Sequence, residues 1–241
     1  MWQISSYAII SITSLLLTAT ATQAQSAYNV EYFGQLRSIM HDADISAQVN
    51  LQKFAGDENF YALGAFESLK GEILILEGES YATRSIDDQV EFVDAFEEEA
   101  TLLVGAHVNS WQDFKMPDTI VSYQDLEKVV EEKAREYGID TNEPFPFLIE
   151  GNFGEIDWHV IDWPEGDKDH THEKHQTSGP HGTLDDADVK ILGFWSDSHH
   201  GVFTHHATNM HIHFVTEDGD LAGHIDDLNY ANELILHLPL E

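Results

Sequence analysis

The sequence predicts an α+β protein built on antiparallel or mixed β-sheets. Two observations carry the assignment. Short runs rich in β-branched and aromatic residues recur along the chain, bounded by Gly, Pro, Asn or Asp. One clear helical pattern, after Ser122, stands among them, and no internal repeat or long flexible linker breaks the chain.

The elements follow in order. Met1 to Val30 carries no charged side chain. Its apolar run, Tyr7 to Leu17, leads into Thr18-Ala-Thr-Ala-Thr-Gln-Ala24, the form of a secretory signal cleaved after Ala24. An uncleaved anchor is the alternative, but the apolar part is shorter than the ~20 residues a spanning helix needs. The expected mature protein is periplasmic or secreted, with no stable membrane insertion after cleavage. Tyr32 to His41 sets Phe33, Leu36, Ile39 and Met40 at helical spacing. Phe60 to Phe66 reads as a strand interrupted by Gly64. Gly71 to Glu77 reads as another, turned at Gly78-Glu79 into Ser80 to Arg84. Val90 to Glu99 fits either state, and Thr101 to Val108 reads as a buried strand. Ser122-Tyr-Gln-Asp125 resembles a capping box that opens a helix ending at Gly138. Phe145 to Phe153, Trp158 to Trp163 and Lys190 to Trp195 are further strands.

Composition narrows the function. The 241 residues suffice for one large domain or two small ones. The 44 acidic against 11 basic side chains give a net charge of −33, which repels nucleic acid and anionic membranes. With no cysteine there is neither a disulfide nor a thiolate zinc site. The 15 histidines are the unusual count, and they favour metal chemistry.

The histidines converge around Asn209 to Leu228. Ile212, Phe214, Leu221 and Ile225 alternate with polar or small residues, so the stretch reads as two strands. Asp218-Gly219 between them predicts a two-residue hairpin turn, because Gly tolerates the positive φ required there. That turn sets His213 directly opposite His224, with His211 diagonal on the same face. Opposed Cβ atoms lie about 5 Å apart and diagonal ones about 7 Å. A lone His-x-His is most simply a solvated strand face. Three imidazoles on one face suit a divalent metal and leave coordination positions open, as catalytic sites do. Pro164 to His181 is a polar loop with His170, His172, His175 and His181, and His199, His200, His205 and His206 follow. Two readings fit these: a mobile loop that binds metals loosely, or accessory groups lining the metal site.

Two blocks carry a family resemblance. The first is Gly193-Phe-Trp, Met210-His-Ile-His-Phe214 and Ala222-Gly-His224; the second is Leu63-Gly-Ala-Phe66, Leu69-Lys-Gly-Glu72, Glu77-Gly-Glu-Ser-Tyr81 and Arg84-Ser85. Together they resemble the acetolactate decarboxylases, over roughly Tyr61 to Leu228. The resemblance implies an N-terminal mixed-sheet domain (25–158), a smaller C-terminal β domain (159–241) carrying the hairpin, and a metal near their junction. It implies Zn2+ held by His211, His213 and His224, Glu72 beside the substrate, and a homodimer. Imidazole also suits Cu, Ni and Fe. The chain departs from the family pattern in three places. Leu148 stands where the resemblance places a substrate-binding arginine, Ala65 where it places a small hydroxyl residue, and no C-terminal Glu maps onto the tail.

The expected reaction is metal-assisted decarboxylation of a 2-hydroxy-3-oxo acid, acetolactate, to acetoin and CO2, with Glu72 moving protons. With no arginine at residue 148, protonated histidines of the two clusters are expected to attract the carboxylate substrate. Two alternatives stand beside this. One is a secreted histidine-rich metal-binding protein that kept the scaffold and lost the reaction. The other is a hydrolase using metal-bound hydroxide.

Overall fold

The computed structural model describes residues 28–240; the expected signal, Met1 to Ala24, lies outside the described residues. The chain begins with β1 (Val30–Phe33), α1 (Leu36–Asp42), β2 (Val49–Asn50), β3 (Phe60–Phe66), β4 (Glu72–Leu76), β5 (Glu79–Ser80), β6 (Ala82–Ile86), β7 (Gln89–Val93) and β8 (Glu99–His107). These strands form one sheet in the order β1-β8-β3-β4-β6-β7, with β2 on β8 and β5 on β4. Every pairing in it is antiparallel, so the mixed sheet expected for this half is antiparallel instead.

A second sheet takes β9 (Trp111–Lys115), β10 (Phe145–His159), β11 (His181–Trp195), β12 (Met210–Thr216) and β13 (Ala222–Pro239). It runs β10-β11-β12-β13-β9, and β10 also pairs with β13. The strands β10 to β13 therefore close on themselves as an antiparallel ring. Closure needs long, bent strands. β10 and β11 have 15 residues each and β13 has 18, and the β10–β13 ladder shifts register at Glu150/Asn152 and again at Asp157/Trp158. Between β9 and β10 lies α2 (Tyr123–Tyr137), capped as its sequence predicts. Ser122 Oγ accepts the Asp125 N–H at 3.2 Å, and Gly138 closes the helix with φ of 103°.

The strand period of two assigns the faces of β4. Ile73 and Ile75 pack outward with Leu51, Phe54 and Phe60. Leu74 and Leu76 face the second sheet, against Leu148, Leu192, Phe194 and Val215. Glu72 belongs to this inner face by the same alternation. On the far side of the ring, Ile212, Phe214 and Ile225 join α2 through Leu126, Val130 and Ala134, and Leu221 packs at the margin.

Some elements depart from the sequence reading. Tyr32 and Phe33 belong to β1, and helix α1 starts only at Leu36, because β1 docks on the exposed flank of β8. Of the two expected strands, Phe145–Phe153 and Trp158–Trp163, the first runs unbroken through Gly154 and Glu155 into Trp158 and His159, where β10 ends; Val160 to Trp163 lie outside it, with Asp162 in an isolated bridge to Lys70. The strand near Lys190 begins at His181, in the segment expected to be loop; its first half is exposed and so lacks apolar alternation. The C-terminal tail is strand, paired with both β10 and β9. The two sheets part between His107 and Trp111, so β10, assigned from sequence to the N-terminal unit, is hydrogen-bonded within the second sheet.

Candidate active site

The β12–β13 hairpin has the expected register through a longer turn. Thr216 and Leu221 pair just before β13 begins, and the four residues between them, Glu217 to Asp220, form the turn. Thr216 N–H bonds Leu221 O at 2.9 Å, and Gly219 N–H returns to Thr216 O at 2.9 Å, with φ of 74° at Gly219. The Thr216 hydroxyl donates to Asp218 Oδ1 at 2.7 Å and accepts the Leu221 N–H at 3.1 Å, so side-chain bonds stabilise a wider turn than Asp-Gly alone predicts. His213 still faces His224 across the ladder. The ring centroids lie 4.9 Å apart for His211–His213, 5.1 Å for His211–His224 and 5.3 Å for His213–His224.

The row continues beyond the hairpin. β13 pairs on its other side with β10, which sets His159 directly opposite His224. Three neighbouring strands thus carry His159, His224 and His213 at one level, with His211 diagonal. Asp226, two residues after His224, points to the same face, and its carboxylate lies 2.9 Å and 3.0 Å from His159 Nδ1. Glu72 reaches in from β4 of the other sheet. Its Oε1 accepts the Ile161 N–H at 3.1 Å and lies 3.6 Å from His159 Nε2, while Oε2 lies 3.6 Å from His213 Nε2. A hydrogen bond from Thr83 Oγ1 to Ala222 O (3.2 Å) ties β6, which pairs with β4 at Glu72, to β13 beside this group.

Electrostatics follow from burial. Burial, then the neighbouring imidazoles, pushes the His211 and His213 rings well below the usual histidine range. Burial raises the Glu72 carboxyl to about 7, against the opposing pull of His224 and the Ile161 N–H. Burial also raises the Asp226 carboxyl, but contacts from His159 and His224 outweigh it and hold the group well below the usual carboxylate range.

These residues fit a metal ion. One ligand nitrogen from each of His211, His213 and His224 lies within 4.8 Å of the other two. Neutral imidazole is the metal-binding form, and burial selects it at His211 and His213. His211 Nε2 and His213 Nε2 face each other at 3.1 Å, an arrangement in which two lone pairs can share one cation.

A cavity of about 350 Å³ opens beside the group, walled by Glu72, His159, His211, His224 and Asp226. The histidine-rich stretch closes part of it through α3 (His172–Thr177), capped by Thr171 Oγ1 on the Lys174 N–H at 3.2 Å. His172 and His175 line the cavity, and His205 meets His172 with rings 4.7 Å apart. His170 stacks on Trp163 at 4.1 Å and bonds His175 Nε2 at 2.9 Å, and His181 sits exposed at the start of β11.

Of the four accessory residues, His205 alone is among the cavity-lining side chains. His199 bonds Ser196 Oγ at 2.8 Å and stacks behind Phe203, His200 bonds Asn209 Oδ1 at 2.6 Å, and His206 is exposed beside Gly201. At the cavity, burial also works against the cationic form expected of these histidines. Burial, then His170, lowers His175 to about 3; burial, then His172, lowers His205 to about 4; burial lowers His172 as well.

Leu148 is buried against Leu192 and Phe194 and lines a different cavity, so the missing arginine leaves no gap at Glu72. The basic side chain that β10 brings to the site is His159, eleven residues on. Ala65 does line the site cavity and pairs with Glu72 across β3–β4. Sequence reasoning missed His159 and Asp226. Asp226 was within reach, since His224-x-Asp226 places both on one strand face; His159 had no local signal.

Comparison with known proteins identifies the fold and the relatives of this chain. The family model described as alpha-acetolactate decarboxylase matches residues 32–238. The alpha-acetolactate decarboxylase of Streptococcus thermophilus is 27% identical over 179 residues, covering 72% of this chain and 69% of its own. That of Lactococcus lactis subsp. cremoris (strain MG1363) is 25% identical over 173 residues, covering 70% and 67%. The crystal structure of alpha-acetolactate decarboxylase from Bacillus subtilis strain 168 shares the fold, with a TM-score of 0.70 at 18% identity over 88% of this chain and 86% of that one.

Proposed function

Because this chain belongs to the alpha-acetolactate decarboxylase family, we propose that it catalyses metal-dependent decarboxylation of a 2-hydroxy-3-oxo acid such as acetolactate, giving acetoin and CO2. The observation that carries the reading is Glu72. Its buried carboxyl, 3.6 Å from His213 Nε2, lies on the wall of the cavity beside three convergent imidazoles. His211, His213 and His224 would hold the ion, Zn2+ in the simplest case. A divalent cation there supplies Lewis-acid stabilisation of the negative charge that develops as CO2 leaves.

The chain's own residues do the rest. As the carbon–carbon bond breaks, its electron pair stays with the fragment that keeps the ketone. Glu72 is suited to return a proton to that carbon, because burial brings its carboxyl to about 7, where both protonation states are accessible. The Ile161 N–H fixes Oε1, which leaves Oε2 toward the histidines. The cavity walls of Leu36, Ile39 and Leu102 restrict water around the reacting carbon.

The second reading is a metal-binding protein without turnover, favoured by the additional histidines His170, His172, His175 and His205 around the cavity. One assay separates the two. Zn2+-loaded protein is given racemic acetolactate, and acetoin and CO2 are followed. Turnover abolished by His213→Ala and strongly reduced by Glu72→Gln supports the enzyme. Tight metal binding without acetoin supports the alternative. Export completes the proposal: uncharged residues 1–24 support a cleaved signal, checked by the N-terminal sequence of the protein secreted by its natural host.

A further inference from the structure

We propose that Asp226 is the positioning residue of this site, orienting His224 toward the metal and His159 toward Glu72 through a single carboxylate. The inference rests on the metal reading above. Asp226 has only 12% of its side chain exposed. Its ion-pair contacts among the described residues are two imidazoles, with no lysine or arginine. A buried carboxylate needs donors, and an ionised one accepts only. Here the nearest imidazoles come from the neighbouring strand β10 and from Asp226's own strand, β13. His159 Nδ1 lies 2.9 Å from Oδ2, and His224 Nδ1 lies 3.3 Å from Oδ1, in ion-pair range though off hydrogen-bond alignment. His224 Nδ1 is buried and, among the described residues, has no hydrogen-bond partner, so Asp226 is the acceptor nearest to hand.

The consequence is a choice of tautomer. With the proton of each ring held at Nδ1 toward Asp226, each Nε2 keeps its lone pair free. On His224 that lone pair would be free to hold an ion together with His211 and His213. On His159 it lies 3.6 Å from Glu72 Oε1, on the side of the carboxyl opposite His213. Backbone register enforces the arrangement. His224 and Asp226 share one face of β13, and His159 stands opposite His224 on β10. One carboxylate thus connects the metal ligand to a side chain that contacts the proton-moving group. His159 then faces the Glu72 oxygen that the Ile161 N–H holds, and Asp226 acts on the carboxyl through His159.

The same three side chains could instead hold an ion of their own, since their ligand atoms lie within 4.8 Å of one another. The experiment therefore counts ions. Metal-free full-length protein is titrated with Co2+, read by visible absorption and by bound metal per chain, for wild type, Asp226→Asn, Asp226→Glu and His159→Gln. Steady-state kinetics with acetolactate follow for each. The expected wild type binds one Co2+ per chain. Asp226→Asn weakens Co2+ binding 10- to 100-fold and alters the absorption band, as loss of an outer hydrogen-bond partner does; Asp226→Glu recovers part of both. His159→Gln keeps Co2+ affinity within about threefold but lowers kcat at least tenfold with little change in KM, the size of a lost proton-transfer partner. An Asp226→Asn protein with wild-type Co2+ affinity and spectrum overturns the inference and leaves the metal reading standing. Two Co2+ per wild-type chain, falling to one in Asp226→Asn, overturns it by making Asp226 a ligand. A wild type that binds no Co2+ removes the metal reading and the inference with it.

Discussion

His159 and His224 stand directly opposite each other on β10 and β13, with ring centroids 4.7 Å apart and the carboxylate of Asp226 beside both. The pair joins the β12–β13 hairpin to the rest of the ring. It also explains why the site depends on backbone register, since shifting β13 by one residue would turn its polar row to the far side.

The first consequence concerns the ligands. His213 is fully buried between His211, His224 and Glu72, so no neighbour replaces it. His213→Ala is expected to lower Zn2+ affinity by at least 100-fold and to abolish acetoin formation. Competition with a chromophoric chelator measures it, and retention of stoichiometric Zn2+ would contradict the assignment.

Glu72→Gln separates chemistry from structure. Gln keeps an acceptor for the Ile161 N–H while removing a buried carboxyl raised to about 7. The expected variant melts within a few degrees of wild type, holds its metal, and loses 10²- to 10⁴-fold in kcat. Calorimetry, metal analysis and the acetoin assay together check it. A kcat within about threefold of wild type would assign the proton to another group.

The histidine clusters should divide. Replacing His199, His200 and His206 together by Gln is expected to leave KM for acetolactate within about twofold, because none of them is among the cavity-lining residues. Replacing His172 and His205 by Gln is expected to raise KM about tenfold, since both line the cavity beside His224 and Asp226. The reverse order of effects would return the substrate site to the exposed cluster.

Stability should fall on mild acidification. His175 is held at about 3 and His205 at about 4 in the folded chain, against an ordinary 6.5, chiefly by burial. Between those values the unfolded chain binds more protons. Stability is therefore complete above about pH 6.5 and is lost as pH falls toward 4. In metal-free protein, His175→Gln with His205→Gln should lose roughly 1–3 kcal/mol less than wild type between pH 7 and pH 5. Urea midpoints across that range test the slope, and identical slopes would mean neither ring is buried neutral.

Gly223 tests the ladder itself. A Cβ at this position would lie 2.7 Å from the His159 carbonyl oxygen, which leaves β13 no room beside β10. Gly223→Ala is expected to cost on the order of 1–3 kcal/mol in stability and to weaken Zn2+ binding through the displaced His224. Wild-type values for both, by urea denaturation and metal titration, would show that the strands have slack.

The sequence alone determined the fold class, the capped helix after Ser122, the pairing of His213 with His224, and the family blocks around Glu72. All but the last rest on local rules: period two, a Ser cap, and a turn signal between adjacent strands, whose register survived even though the turn has four residues rather than two. The tertiary structure alone decided that β10 closes on β13 and so delivers His159, and that Glu72 arrives from another sheet. It also separated His205 from His199, His200 and His206, and placed Leu148 away from the cavity. Those outcomes depend on contacts between residues 65 to 141 positions apart, such as His159 with His224 and Glu72 with His213. No spacing along the chain encodes such contacts, because they form only when long strands bend and pack around a common core.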